Sequence, residues 1–165
     1  MNLKIINVSN GSKKYPGSFT IEEHKIIVYN CSGSILHLFS GRSGIGDVRV
    51  DYSCKEATIN EDVFKFLEIN NKKFDTIIID APYNEKFANE YQTIGNTSKQ
   101  FIIFADTKRT TNLFNLITTK IQPEIIIIKS WNYYVQKGYS LKEGFLCYAG
   151  GFRKPTILLI LKKLH

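Results

Sequence analysis

The sequence is poor in cysteine and histidine, and this scarcity argues against two kinds of stabilised fold. The three cysteines, Cys31, Cys54 and Cys147, are odd in number, lie far apart and form no CxxC pair. The three histidines show no ligand spacing. The sequence therefore predicts neither a disulfide framework nor a metal site, which fits a protein of the reducing cytoplasm.

Long hydrophobic runs are also missing. No apolar stretch approaches the ~20 residues that a membrane-spanning helix needs, and the first six residues become polar too soon for a signal peptide. No repeat, low-complexity tract or linker divides the 165 residues. We therefore expect a cytoplasmic chain that forms one domain over residues 1–165, with no membrane association and no separate target-recognition domain.

Basic charge is abundant but unevenly placed. The net charge is +7; residues 1–83 hold ten basic and ten acidic residues, whereas residues 84–165 hold twelve and five. A basic half beside a neutral half indicates a polyanionic partner, first of all nucleic acid. The alternative is solubility, since 18 of the 22 basic residues are lysine. The richness in Ile, Lys and Asn indicates an AT-rich genome, viral or archaeal.

Apolar segments alternate with polar ones as in βαβ units. Helices are predicted over residues 61–70 and about 107–121, and a short helix or hairpin over 20–29. Strands are predicted at residues 3–8, 35–39, 48–52, 57–59, 74–80, 101–104, 125–128 and 155–161, the last pairing antiparallel with 144–148. Seven or so strands with few helices predict an α/β fold: a Rossmann-like, mostly parallel sheet with an antiparallel C-terminal strand.

Residues 74–84 read FDTIIIDAPYN and are the centre of the predicted sheet. Four β-branched residues without polar alternation are typical of a strand buried on both faces. Ligands of open α/β sheets bind beyond the carboxyl ends of the strands, so Asp80 is expected at the rim of a pocket. Pro82 would fix the turn that follows. An ordinary Asp-containing turn is the alternative.

A second candidate stretch is the strand at residues 35–39, which runs directly into a glycine-bearing turn, SGRSGIG. Glycines let the backbone turn sharply and approach a ligand closely. Asp51 ends the next strand, ten residues after Gly41, where a carboxylate could bind the two hydroxyls of a ribose. A plain tight turn is the alternative.

Together, Phe39-x-Gly41 and Asp80-x-Pro82-Tyr83 resemble the two motifs of the S-adenosylmethionine-dependent amino-methyltransferases, F-x-G-x-G and D/N/S-P-P-Y/F/W. These enzymes methylate adenine N6 or cytosine N4 in DNA and have relatives that modify RNA. The resemblance covers residues 35–84 by motif. Ala81 stands where the family has its first proline and Ser43 replaces the second motif glycine. The segments that join the first strands are shorter than the usual helices.

The resemblance implies a role for each matching residue. Asp51 would bind the ribose of S-adenosylmethionine, and Asp62 with Val63 would lie at its adenine ring. Residues 16–20 would cover its methionine end, or else form a surface loop. The methionine part would be lined by Phe39, Ser40, Gly41, Arg42, Ser43 and Gly44, and the catalytic motif would be Asp80, Ala81, Pro82 and Tyr83.

The family chemistry requires these residue types. The carboxylate of Asp80 and the carbonyl of residue 81 accept hydrogen bonds from an amine whose lone pair is otherwise delocalised. Tyr83 would stack on the target base, flipped from a duplex or taken from a single strand. An aspartate in the first motif position favours adenine N6 of DNA. An RNA methyltransferase and a non-catalytic nucleic-acid-binding protein with the same fold remain alternatives, and a phosphate-binding α/β protein is a weaker one.

Aromatic and basic residues at the same rim predict the nucleic-acid interface, because such surfaces stack bases and follow phosphates. A homodimer could extend this small basic surface. His37 is expected as a packed core histidine, and Asp106 as the N-cap of the helix that begins near residue 107. The predicted nucleic-acid contacts are Asn84, Lys86, Lys129, Trp131, Tyr133, Lys137, Arg153 and Lys154.

Overall fold

The computed structural model describes residues 3–8, 19–52, 54–81, 106–150 and 154–165. Within them lie three α-helices: α1 (Ile21–Asn30), α2 (Val63–Ile69) and α3 (Thr107–Leu116), the last continued by a π-helical turn, Ile117–Ile121. The strands of the same ranges are β1 (Leu3–Asn7), β2 (Ile35–Leu38), β3 (Val48–Asp51), β4 (Ile59–Asn60), β5 (Thr76–Ile79), β6 (Ile125–Ser130), β7 (Tyr139–Tyr148) and β8 (Thr156–Lys163).

These strands form one sheet in the order β1-β7-β8-β6-β5-β2-β3-β4. Every pairing is parallel except those of β8, which runs antiparallel to both β6 and β7. The chain moves outward from β2 through β3 to β4 and then returns to the other side of β2 with β5. The order therefore reverses between β2 and β5, and ligands of open α/β sheets bind at the carboxyl ends of strands at such a reversal.

The central strands are buried on both faces, which explains their unbroken apolar sequences. All four residues of β5 are buried, and its neighbour β6 is buried from Ile126 to Ser130. Helix α1 covers one face, where Ile27 packs with Ile78 and Ile127. Helices α2 and α3 cover the other. A sheet covered by helices on both faces is the usual environment of parallel strands.

Side-chain caps fix where the helices begin. Thr20 and Glu23 form a capping box at α1: the Glu23 N–H donates to the Thr20 hydroxyl at 3.2 Å and the Thr20 N–H donates to Glu23 Oε2 at 2.8 Å. Asp106 caps α3 by accepting from the N–H groups of the second and third helical residues. These bonds satisfy N–H groups that the first helical turn leaves without partners.

The predicted fold class is confirmed, with three corrections. Among the described residues the sheet has eight strands rather than about seven, and the predicted first strand is β1, which lies at the edge beside β7. β7 begins at Tyr139 rather than residue 144; its first half alternates polar and apolar residues and contains a bulge after Leu141. The short strand expected at residues 57–59 is Ile59–Asn60. Of the two alternatives predicted for residues 20–29, the helix is confirmed, as Ile21–Asn30. The strand expected at residues 101–104 lies outside the described residues.

No helix in the described ranges is long and apolar enough to cross a membrane.

Candidate active site

The loop that follows β2 contains three residues with positive φ, and the first two of them make its first sharp turn. Phe39 has a φ of 59° and Gly41 a φ of 50°. Glycine adopts this conformation freely, but a bulky residue such as phenylalanine does so only where the surrounding structure holds it. The Phe39 side chain is buried in the core, and that packing holds the turn.

Polar groups of β3 brace the same loop. The Gly41 N–H donates to Asp51 Oδ2 at 3.0 Å, while the other carboxylate oxygen of Asp51 accepts from the N–H of Cys54 at 2.9 Å. The Arg49 guanidinium donates to the carbonyl of Ser43 at 3.1 Å. Asp51 is only 6% exposed. Its observed contacts hold the loop; its predicted contact with a ribose stays a prediction.

The predicted cofactor contacts of the loop differ in their surroundings. The buried Ser40 hydroxyl has no hydrogen-bond partner among the described residues, and leaving such a group unpaired costs free energy. Gly44 is exposed, and a Cβ added there would meet nothing within 4 Å. Arg42 forms an ion pair with Glu56, Nε to Oε1 at 3.3 Å, at the surface. The loop thus has an unsatisfied buried hydroxyl at Ser40 and an open surface position at Gly44.

Asp80 lies next to this loop. Its N–H donates to the carbonyl of Leu38 at 3.4 Å, which joins the carboxyl end of β5 to that of β2. Asp80 is half-buried and Ala81 is buried. The predicted catalytic residues Pro82 and Tyr83 lie outside the described residues. The first two positions of the Asp80 motif therefore stand at the strand reversal, beside the glycine loop.

Phe19, His37 and Lys129 form a wall on the α1 face of the sheet, close to this edge. The Phe19 ring stacks on that of His37, with centroids 5.6 Å apart, and Lys129 Nζ lies 5.1 Å from the Phe19 centroid. Lys129 and Asp80 occupy neighbouring positions, because each directly follows one of the paired residues Ile128 and Ile79. The wall places the start of α1 near the candidate site.

His37 is a packed core histidine, as predicted. It is fully buried, and its Nδ1 lies 3.0 Å from the carbonyl of Ile45, to which it donates. Burial lowers the pKa of His37 from 6.5 to about 4; the hydrogen bond to Ile45 opposes this shift and the nearby Arg49 charge adds to it. The imidazole is therefore neutral at pH 7, with Nε2 unpaired among the described residues.

Lys129 does not occupy the exposed position assumed for a nucleic-acid contact. It is 5% exposed, and its Nζ pairs with Glu23 Oε2 at 3.0 Å. Glu23 is itself buried and also accepts from the hydroxyl of Thr156. Two opposite charges removed from water are retained together because each compensates the other. That prediction was wrong in its placement: Lys129 holds α1 against the sheet.

Asp62 and Val63, which are adjacent in sequence, have different surroundings. Asp62 caps α2, with Oδ1 accepting from the N–H groups of Phe64 and Lys65. It also lines a cavity of about 240 Å³ together with Phe64, Arg109 and Asn112. Val63 packs in the core. Of the two residues predicted at the cofactor's adenine ring, only Asp62 thus borders a cavity.

The remaining predicted nucleic-acid contacts that the structure describes are exposed or partly exposed. Lys154 Nζ lies 4.6 Å from the Trp131 ring centroid, a cation–π contact. Tyr133 is 43% exposed, and Lys137 is exposed. Asn84, Lys86 and Arg153 lie outside the described residues. The Trp131 ring and the Lys154 ammonium group therefore share the carboxyl edge that follows β6, whereas Lys137, two residues before β7, lies towards the opposite edge.

Sequence reasoning missed the Glu23–Lys129 pair, although one signal for it was available. Thr20-x-x-Glu23 is a capping-box pattern, and it fixes α1 as a helix beginning at Ile21. No sequence spacing indicates that a lysine 106 positions later pairs with this glutamate. The pairing depends on the sheet, which brings the end of β6 beneath the start of α1.

The sequence matches no protein-family profile and no curated protein. The structure is similar to that of TrmN from Thermus thermophilus, with a TM-score of 0.60 and 12% identity over 90% of this chain, which spans half the length of TrmN. It is also similar to yhhF from Escherichia coli, a candidate methyltransferase, with a TM-score of 0.55 and 10% identity over 98% of this chain and 97% of that one. The chain thus has a methyltransferase fold.

Proposed function

We propose that this protein transfers a methyl group from S-adenosylmethionine to an exocyclic amino group of a nucleobase. The observation that carries the proposal is the hydrogen bond between Asp80 and Leu38, which brings the Asp80 motif against the glycine loop at the strand reversal. The methyltransferase fold of TrmN and yhhF supports the same reading.

The residues around the loop fit the cofactor. The unsatisfied Ser40 hydroxyl and the open space at Gly44 accommodate its polar methionine end, together with Phe39, Gly41, Arg42 and Ser43. The remaining oxygen lone pairs of Asp51 face the ribose hydroxyls, and Asp62 lies at the adenine ring, whereas Val63 packs in the core. When bound, S-adenosylmethionine supplies an electrophilic methyl group on a sulfonium sulfur.

The chain's own contribution is to orient the amine and stabilise its developing charge. The Asp80 carboxylate and the Ala81 carbonyl accept hydrogen bonds from the two N–H groups of the amine. These bonds direct the nitrogen lone pair at the methyl carbon. As the carbon–nitrogen bond forms, the carbon–sulfur bond breaks and the nitrogen becomes positive, a change that the Asp80 carboxylate favours. The methylated nitrogen then releases its proton to solvent water. Ala81 in place of proline keeps the carbonyl that this arrangement needs.

Adenine N6 in DNA is the leading target, since aspartate opens the motif, and adenine in RNA is the alternative. As the resemblance implies, Tyr83 would stack on the target base, flipped out of a duplex or taken from a single strand. The basic excess in residues 84–165 and the exposed rings near Trp131 support a nucleic-acid substrate.

A non-catalytic nucleic-acid-binding protein is the second candidate, and two observations favour it. Residues 39–47, which join β2 to β3, contain no helix. Asp51, the proposed ribose ligand, already accepts two backbone hydrogen bonds. A protein that had lost cofactor binding would retain the fold and the basic surface but not need Asp80.

The deciding experiment measures transfer of a labelled methyl group from S-adenosylmethionine to double-stranded DNA, single-stranded DNA and RNA. We compare the parent chain with Asp80→Asn, which keeps the shape of the side chain but removes its charge. Glu68→Gln is the matched control, because Glu68 is an exposed carboxylate on α2. Digestion of the labelled product to nucleosides identifies the base.

We expect the parent to transfer label to one of the three nucleic acids. The rate of transfer should fall by about 100-fold or more in Asp80→Asn and stay at the parental value in Glu68→Gln. Cofactor binding, measured by calorimetry, should survive in Asp80→Asn. If the parent neither transfers the label nor binds S-adenosylmethionine, the non-catalytic candidate is correct.

A further inference from the structure

The side chain of Asp80 is directed to the α1 face of the sheet. In β5 and the residues that follow it, Ile78 packs on that face, whereas Ile79 and Ala81 pack on the face covered by α2 and α3. Successive side chains of a strand point to opposite faces, so Asp80, between Ile79 and Ala81, shares the α1 face with Ile78. The hydrogen bond from its N–H to the carbonyl of Leu38 shows that the strand geometry continues to this residue.

A buried cation occupies the neighbouring position on the same face. Lys129 follows Ile128, which pairs in register with Ile79, so Lys129 lies beside Asp80 on the adjacent parallel strand. Neighbouring strands are about 4.8 Å apart. The Lys129 ammonium therefore has two carboxylates within reach of its flexible stem, that of Asp80 on β5 and that of Glu23 on α1.

Glu23 is the carboxylate that holds the ammonium. Lys129 Nζ lies 3.0 Å from Glu23 Oε2, and the two side chains are only 6% and 2% exposed. Glu23 is itself fixed, because it accepts from the N–H of Thr20 at 2.8 Å and from the hydroxyl of Thr156 at 3.3 Å. Opposite charges attract more strongly away from water, and Glu23 is buried whereas Asp80 is half-buried. The geometry therefore favours Glu23 over Asp80 as the partner of Lys129.

A cation in contact with Asp80 would oppose the proposed chemistry. It would occupy the carboxylate oxygens that accept hydrogen bonds from the amine, and it would repel the positive charge that develops on the attacking nitrogen. An ammonium paired with Glu23 has its field largely compensated at Asp80. The buried pair thus has a consequence for the candidate site as well as for the packing of α1.

We infer that Glu23 is a positioning residue for Asp80: it holds the Lys129 ammonium on the α1 side and so keeps the Asp80 carboxylate for the substrate amine. The inference deepens the proposed function and rests on it, since it explains how the same acceptor is protected. Glu23 acts through Lys129 and is not itself a catalytic residue.

The first test asks whether the ammonium moves to Asp80 when Glu23 loses its charge. Asp80→Asn is made in the parent and in Glu23→Gln, and the equilibrium constants for unfolding are measured in urea at pH 7. In Glu23→Gln the ammonium should pair with Asp80. Asp80→Asn should therefore raise the unfolding constant about tenfold more in that background than in the parent. In Glu23→Gln/Lys129→Met this extra effect should disappear.

Glu124→Gln is the matched control, because Glu124 pairs with Lys163 at 3.5 Å and directly precedes β6 at the opposite edge of the sheet. Asp80→Asn should have its parental effect in that background. If Glu23→Gln is too unstable to measure, Glu23→Asp, which keeps the charge but shortens its reach, should show a smaller effect in the same direction. Equal effects of Asp80→Asn in the parent and in the Glu23 variant would overturn the inference.

The second test measures methyl transfer by the same variants to whichever nucleic acid the parent labels. The rate at saturating substrate should fall by about tenfold or more in Glu23→Gln, stay parental in Glu124→Gln, and recover most of the loss in Glu23→Gln/Lys129→Met. A merely structural role would lower the rate only in proportion to the folded fraction. A double variant no faster than Glu23→Gln would contradict the inference.

Together the two tests separate this inference from the proposed function. If Asp80→Asn has its extra effect on stability in Glu23→Gln but the parent transfers no methyl group, the arrangement of charges is upheld and the proposed enzyme is refuted. If the parent transfers a methyl group and Glu23→Gln does so at the parental rate, the enzyme is upheld and the inference is overturned.

Discussion

Asp51 shows how a residue can be placed correctly from sequence and still have two roles. Its position at the end of β3 follows from the apolar strand before it. Both oxygens, however, accept backbone N–H groups, one from the glycine loop and one from Cys54. Both roles, holding the loop by hydrogen bonds and binding a ribose, require a carboxylate at this position. The presence of aspartate in the sequence therefore does not distinguish between them.

His37 gives a prediction at the residue scale. Its pKa is about 4 in the folded chain against 6.5 for an ordinary histidine, so the unfolded chain binds the extra proton between those values. The free energy of unfolding should therefore fall as the pH is lowered from 6.5 to about 4, by on the order of 3 kcal/mol from this group. Urea unfolding across this range measures it.

His37→Asn should remove that part of the pH dependence, whatever its effect on stability at pH 7. His24→Asn is the control, because His24 is exposed on α1 and should leave the slope as it is. An unchanged slope in His37→Asn would show that another group causes the acid sensitivity.

At the scale of elements, the buried strands were predictable and the contacts between elements were not. Residues 77–79 and 125–128 are apolar without interruption, a pattern that is typical of strands buried on both faces. β7 was predicted only in part, because its polar half resembles a loop. The burial of Lys129 depends on a glutamate brought to it by the packing of α1, and local sequence carries no record of such a partner.

The buried Glu23–Lys129 pair gives a prediction at this scale. Glu23→Gln or Lys129→Met alone leaves one buried charge without its partner, so each should lower the free energy of unfolding by about 3 kcal/mol. The double variant leaves no charge, and its loss should be clearly smaller than the sum of the two. A double-mutant cycle by urea unfolding gives the coupling.

Lys4 and Glu143 provide the comparison, since they form a surface pair at 3.4 Å with side chains 59% and 30% exposed. The same substitutions there should couple by ~1 kcal/mol or less. Equal coupling in the two pairs would mean that burial does not strengthen the Glu23–Lys129 interaction.

At the scale of the whole molecule, the candidate site residues and the excess positive charge lie in different halves of the chain. The glycine loop and Asp80 belong to the half of the chain whose charges balance, whereas the exposed rings and lysines after β6 belong to the half that carries the whole excess. The pairing of β5 with β6 brings the two halves together, with the ends of both strands at one edge of the sheet. If the proposed function is correct, substitutions in one half should therefore change cofactor binding, and substitutions in the other should change nucleic-acid binding.

That separation predicts the salt dependence of nucleic-acid binding. Lys137 and Lys154 are exposed in the basic half, and each phosphate contact adds about 0.7 to 0.9 to the slope of log affinity against log salt. The double variant Lys137→Ala/Lys154→Ala should therefore lower the slope by about 1.5, while Lys72→Ala, an exposed lysine of the balanced half, should leave it unchanged. Anisotropy titrations of one DNA strand at several salt concentrations measure the slopes.

Equal slopes for the parent, the double variant and Lys72→Ala would mean that the nucleic acid binds elsewhere on the protein. S-adenosylmethionine binding should be the same in the double variant as in the parent, and this control shows that the fold is intact.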